Sequence, residues 1–210
     1  NKESYGVQRR YLIGDQLDSV MNYPFRSAIM NYVMGGSQFD FRYAVMTILE
    51  NYPKPSVDVL MNSISTHDIE RAINVLGGES CDGKDKDWMC NHYLSDHEYT
   101  LGRNRLKVAM AIQFFLPGVP CIYYGDEAGQ QGYKDPFNRR CYPWGKEDKE
   151  LVDYVKLLAR IRNSSKVFRD GTLKFLYMDD NVIAFSRARN NRRKAVIVFI
   201  NRSGQEQVID

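Results

Sequence analysis

A chain of 210 residues, 43% hydrophobic and 26% charged, has the composition of a folded globular protein, large enough for one domain or for one domain with a small companion. Its 29 basic residues nearly balance 26 acidic ones, so the net charge of +3 provides no field suited to a nucleic-acid backbone. No apolar run approaches the roughly 18 residues that span a bilayer, and neither a nucleic-acid nor a membrane partner is expected.

The opening segment Asn1-Lys-Glu-Ser-Tyr-Gly-Val has neither an initiator Met nor the basic-then-apolar layout of a secretory signal, which reads as the middle of a longer protein. Compartment then rests on Cys81, Cys90, Cys121 and Cys141, which favour the cytoplasm over secretion. Only Cys81 and Cys90 are close enough to suggest a local bridge, and Cys121, inside the apolar run Val119-Pro-Cys-Ile-Tyr-Tyr, reads as a small buried thiol. Leu17 to Tyr23 predicts a short buried strand closed by Pro24, which cannot donate to a ladder and suits the start of a helix. Apolar residues at helical spacing predict helices over 25–33 and 39–51, the second with Phe41, Ala44, Val45, Ile48 and Leu49 on one face and ended by Pro53 and Pro55. Val59 to Ile64 predicts a second strand, delivering Ser65-Thr66-His67-Asp68 to a loop.

The polar stretch from Gly77 to Gly102 is too long for a structureless connection and is expected to carry a short helix or a role of its own. Leu106 to Leu116, apolar nearly all round, predicts an interior helix stopped by Pro117-Gly118; a strand over 119–124 and the glycine-rich segment Gly125 to Gly132 follow. Lys149 to Arg162 predicts an amphipathic helix with Leu151, Val155, Leu158 and Ile161 on its buried face. After Gly171 the pattern turns to alternation, which predicts antiparallel strands with a hairpin turn at Arg189-Asn190-Asn191-Arg192. The fold class is thus α/β with parallel strands, and the organisation is a strand–helix part over 1–169 followed by an antiparallel β part over 170–210.

Three groupings carry chemistry. His67-Asp68 at a strand end places a carboxylate beside an imidazole, a combination that stabilises a cationic transition state and binds hydroxyls; the alternative role for Asp68 is a helix N-cap ahead of Ile69-Glu-Arg-Ala. Gly125-Asp126-Glu127 is a second carboxylate pair, read as structural, and its loop lacks the spacing of a phosphate cradle. Cys81, Cys90, His92 and His97 follow C-x8-C-x-H-x4-H, which matches none of the common zinc spacings, so no metal site is assigned. Arg187, Arg189, Arg192, Arg193 and Lys194 read as a solvated hairpin tip. Tyr23, Trp88, Tyr123, Tyr124, Tyr133, Tyr142 and Trp144 suit either a core or the apolar faces of sugar rings.

Taken in order, several segments resemble the α-amylase family, glycoside hydrolase family 13, and within it the neopullulanase and cyclomaltodextrinase group. Asp18-Ser-Val-Met-Asn-Tyr-Pro-Phe25 is similar to the sixth strand of the family's (β/α)8 TIM barrel and Ser63-Ile-Ser-Thr-His-Asp68 to the seventh-strand motif. Pro117-Gly-Val-Pro-Cys-Ile-Tyr-Tyr-Gly-Asp-Glu127 resembles the eighth and Asp135-Pro-Phe-Asn-Arg-Arg-Cys-Tyr-Pro-Trp144 the loop after it. The resemblance implies the C-terminal portion of a TIM barrel, about strands six to eight, followed by the start of an all-β C-terminal domain, with Gln207-Val-Ile-Asp210 in one of its strands. It implies that Asp68 is the acidic residue that stabilises the transition state, that His67 contacts the same sugar, and that Asp135 and Arg139 bind glucose units further along the substrate.

The implied substrate is an α-glucan oligosaccharide, a cyclodextrin or pullulan. No cofactor is assigned, calcium in the parent enzyme being left open. The family's retaining mechanism needs a nucleophile and an acid/base carboxyl about 5–5.5 Å apart. Neither the Arg-x-Asp pattern of the nucleophile nor the Glu-containing acid/base motif occurs in this chain. Alone it is therefore expected to be inactive and, with unpaired strand edges, to self-associate. The alternative to an enzyme portion is a non-catalytic glycan-binding or interaction module of the same fold.

Overall fold

The computed structural model describes residues 11–189 and 195–209. Helix α1, Tyr23–Val33, is opened by Asn22, whose side chain accepts from the Phe25 amide, with Pro24 in the first turn where a missing N–H costs nothing. Helix α2, Gln38–Asn51, is capped by the Ser37 hydroxyl and buries Phe41, Val45 and Ile48, with Ala44 and Leu49 packed beside them, the face its periodicity predicts. Pro53 and Pro55 end α2 but also begin a further short helix, α3, Lys54–Asp58.

Strand β1, Met61–Ser63, pairs in parallel with β2, Val119–Cys121, in the register Met61↔Val119 and Ser63↔Cys121. Both are shorter than the apolar runs that predict them. The strand expected over Leu17 to Tyr23 is reduced to one parallel bridge, Met21 to Met61. Its cause is local: the Leu17 amide turns back to the Tyr11 carbonyl, leaving Leu17 exposed, and Asn22 is drawn into capping α1. Three neighbouring parallel segments nevertheless result, stitched by buried amides: Asn22 Nδ2 donates to Asn62 Oδ1 (2.9 Å), Asn62 Nδ2 to the Pro117 carbonyl (2.8 Å), and Gln113 Nε2 to the carbonyls of Asn62 (2.8 Å) and Cys121 (3.0 Å).

Between β1 and β2 run α4, Ala72–Gly77, α5, Lys86–Asn91, and α6, Asp96–Phe115. The polar stretch is thus helical in part, as expected, but α6 begins at Asp96 rather than near Leu106, because Ser95 and Glu98 form a reciprocal capping box that a core-pattern reading does not weigh. Helix α7, Lys149–Ser164, buries Leu151, Val155 and Leu158, while Ile161 stays 39% exposed. The short α8, Val167–Asp170, leads into an antiparallel sheet in the order β3, Thr172–Met178, β4, Val182–Ala188, and β5, Ala195–Asn201. The expected hairpin turn at Arg189 to Arg192 lies, beyond Arg189, outside the described residues.

One continuous core joins the helices to this sheet, with Phe41 against Phe175 (6.3 Å between centroids) and Phe115 against Phe168 (5.0 Å). Arg187, expected at a solvated tip, is fully buried: it projects from the inner face of β4 and donates to the carbonyls of Phe115 (2.7 Å) and Gly171 (2.9 Å), while burial lowers its pKa to about 10. Gln207 to Ile209 form no strand, because Asn201 Nδ2 and Ser203 Oγ capture the Gln205 carbonyl around a left-handed Gly204. Cys121 is half-buried rather than fully buried, and no bridge joins Cys81 to Cys90.

Candidate active site

The carboxyl ends of β1 and β2 open onto three loops: 64–71, 122–132 and 134–140. A parallel sheet gathers at this end whatever its strands deliver. The first loop is closed by Ser65, whose hydroxyl accepts from the Ala72 amide at 2.9 Å, and turned by Thr66, whose hydroxyl accepts from the Asp68 amide at 3.2 Å. Asp68 therefore caps no helix: α4 begins four residues on, at Ala72, behind Arg71. His67 Nε2 lies 3.2 Å from Asp68 Oδ1, both side chains being 57% exposed. An exposed pair of this kind adds little stability, and both groups face solvent.

The structure brings all four sequence-predicted residues together. Asp135 Oδ1 pairs with Arg139 Nε at 2.8 Å, and the same Nε donates to the His67 carbonyl at 3.2 Å. Next to Arg139, the buried Asn138 donates through Nδ2 to the carbonyls of His67 (2.9 Å) and Ile69 (2.8 Å). Tyr23, at the head of α1, brings its hydroxyl to 3.4 Å from Thr66 Oγ1. The result is a carboxylate, an imidazole and a carboxylate–guanidinium pair on one surface, a set of donors and acceptors that matches a ring of hydroxyls.

Beneath this surface lies a buried polar centre that the sequence reading missed. Arg71 Nη1 meets Asp126 Oδ1 at 3.1 Å with the two side chains 0% and 2% exposed, and also donates to the Tyr124 carbonyl; Arg71 Nε donates to the Asn138 carbonyl at 2.9 Å. The guanidinium sits 4.1 Å from the Tyr123 ring and 4.7 Å from that of Tyr124, a cation–π contact with two rings that meet edge to face. Burial pushes the Asp126 carboxyl up to about 6, against the pull of Arg71 and of a hydrogen bond from Ser65. Nothing in spacing links Arg71 to Asp126 across 55 residues; the only signal is the Gly125-Asp126-Glu127 turn, correctly read as structural.

The other groupings stay apart. Cys81 donates to Glu70 Oε1 at 3.1 Å and His92 stacks on Trp88 with 4.0 Å between centroids. Among the described residues no group of three or more His, Cys, Asp and Glu is arranged to hold a metal, and no helix is long and apolar enough to cross a membrane. Tyr133 is core, whereas Tyr142 and Trp144 pack together on the surface at 4.6 Å. A concavity of about 1010 Å³ lies between α1 and α2, lined by Tyr23 and Phe41 among others but by neither His67 nor Asp68.

Residues 2–195 match the α-amylase catalytic domain. The chain belongs to the α-amylase family. This α-amylase-family chain is 37% identical to an amylopullulanase of Thermoanaerobacter thermohydrosulfuricus over 94% of its own length and 14% of that protein's, and 33% identical to a cyclomaltodextrinase of Geobacillus thermopakistaniensis over 93% and 30%. It therefore spans less than a third of the length of these relatives. Among solved structures, a cyclomaltodextrinase superposes with a TM-score of 0.73 at 31% identity, covering 91% of this chain and 30% of that one. A debranching enzyme of Nostoc punctiforme, at 22% identity, shares the fold with a TM-score of 0.75 over 94% and 40%.

Proposed function

We propose that this chain forms about strands six to eight of a (β/α)8 barrel, residues 1–169, with the start of an antiparallel β-domain, 170–210, in a retaining glycoside hydrolase acting on α-glucosidic linkages of starch-derived oligosaccharides, cyclodextrins or pullulan. Asp68 stabilises the oxocarbenium-like transition state, His67 holds a hydroxyl of the same sugar, and Asp135 with Arg139 binds glucose units further away. The observation that carries this reading is the exposed His67–Asp68 pair at the carboxyl end of a parallel strand, with the Asp135–Arg139 pair fastened to the His67 carbonyl. The nucleophile and the general acid belong to other parts of the enzyme, so this chain alone binds sugar without cleaving it.

The test is Asp68→Asn in the full-length enzyme. A neutral amide keeps the shape and removes the charge, so turnover of maltooligosaccharides falls by roughly 100-fold or more at unchanged melting temperature. Near-normal turnover would remove Asp68 from the role. If the full-length wild-type protein binds maltooligosaccharides but cleaves none, it is the non-catalytic glycan-binding module instead.

A further inference from the structure

The side chains of His67 and Asp68 are more than half exposed, so packing does not fix them and their placement depends on the backbone that carries them. Thr66 Oγ1 accepts from the Asp68 amide and Arg139 Nε reaches the His67 carbonyl, but one side chain grips the backbone on both sides of Asp68. Asn138 Nδ2 reaches the carbonyls of His67 and Ile69, the residues on either side of Asp68, at 2.9 and 2.8 Å. Asn138 is itself fully buried, and its own carbonyl accepts from Arg71 Nε, which Asp126 and the Tyr124 carbonyl hold in turn. A continuous line of polar contacts, buried at Asp126, Arg71 and Asn138, thus runs from the loop after β2 to the two partly shielded carbonyls that flank the exposed carboxylate.

We propose that Asn138 is a positioning residue for the sugar-binding pair, acting as a double donor that sets the backbone at Asp68; this rests on the reading of His67 and Asp68 given above. Two carbonyl acceptors that the fold partly shields from water favour a donor held in place by the protein. Asn138→Asp has nearly the same shape but presents only acceptors once ionised, and Asn138→Ala presents nothing. Packing alone would tolerate Asp better than Ala; donation makes Asp at least as harmful.

Hydrogen exchange of the whole chain, read by mass spectrometry, and calorimetric titration with maltohexaose test this together. In the wild type the segment 64–72 exchanges slowly despite its exposed side chains. In Asn138→Ala and Asn138→Asp its exchange accelerates while α6 and β4 stay protected, and maltohexaose affinity falls roughly tenfold. Unchanged exchange over 64–72 in a folded variant overturns the proposal, as does wild-type affinity in both variants when Asp68→Asn has weakened binding. Acceleration spread evenly over the chain overturns it too, since that is general destabilisation. If neither variant folds, the wild-type pattern decides, fast exchange over 64–72 being the contrary result. A wild type that takes up no maltohexaose sinks the sugar-site reading by itself, whereas exchange over 64–72 still judges the placement of the loop.

Discussion

Arg71 holds a charge where water does not reach, and everything that satisfies it comes from loops distant in sequence: Asp126, the carbonyls of Tyr124 and Asn138, and two tyrosine rings. Removing one member of such a pair strands the other and typically costs about 3–5 kcal/mol, far more than losing the exposed Asp135–Arg139 pair. The Asp126 carboxyl gives this centre a pH signature. Its value in the folded chain, about 6, lies above the ordinary 3.8, so the folded state binds the proton more tightly than the unfolded state. The stability this group contributes is complete below about pH 4 and is lost as pH rises through about 6. Denaturant unfolding of wild type and Asp126→Asn from pH 4 to 7 should therefore show the wild type losing ground to the variant as pH rises. A difference independent of pH, or one that grows in the wild type's favour, would mean that Arg71 keeps the carboxylate ionised throughout.

Helix α6 shows the same dependence on distant partners at the level of an element. Its start is local, since Ser95 and Glu98 cap each other's orphan amides, and is legible once S-x-x-E is given weight. Its end is not local: the last carbonyls are covered by Arg162, from α7, at Phe114, and by Arg187, from β4, at Phe115. Both cations also complement the negative end of the helix dipole. Gly102, within the exposed-looking first half of α6, is there for a crossing. A Cβ at this position would stand 2.6 Å from the Ile73 carbonyl oxygen of α4, and one at Gly77 would stand 2.2 Å from the Glu98 carbonyl oxygen. Gly102→Ala should accordingly destabilise the chain by about 2 kcal/mol through overpacking, although helix propensity alone favours Ala by about 1 kcal/mol. An increase in melting temperature would show that α4 and α6 can move apart without loss.

At the level of the whole molecule, the apolar surface is unevenly covered. Phe39 and Tyr43 on α2, and Ile197 and Phe199 on β5, are more than half exposed, and the parallel segment at Met21 is paired on one side by a single bridge. Such edges and faces attract partners of the same kind. We propose that the chain by itself pairs with a second copy through these faces; light scattering across a concentration series should show mass rising above 24.4 kDa, and a monodisperse monomer at all concentrations would contradict it. What the sequence determined by itself was periodic or local: the amphipathic faces of α2 and α7, the alternation in β3 to β5, and the motif order that gathers His67, Asp68, Asp135 and Arg139. The faces and the alternation follow from residue spacing, which a chain carries wherever it is placed, and the four site residues from the resemblance of their motifs to the α-amylase family. Only the tertiary structure decided how little of the Leu17–Tyr23 run becomes strand, that Arg187 turns inward to serve helix ends, and that Asn138 and Arg71 hold the loop bearing Asp68. Each of these depends on buried donors and acceptors finding one another across tens of residues, and such pairing is fixed by where the folded chain excludes water, not by any spacing along it.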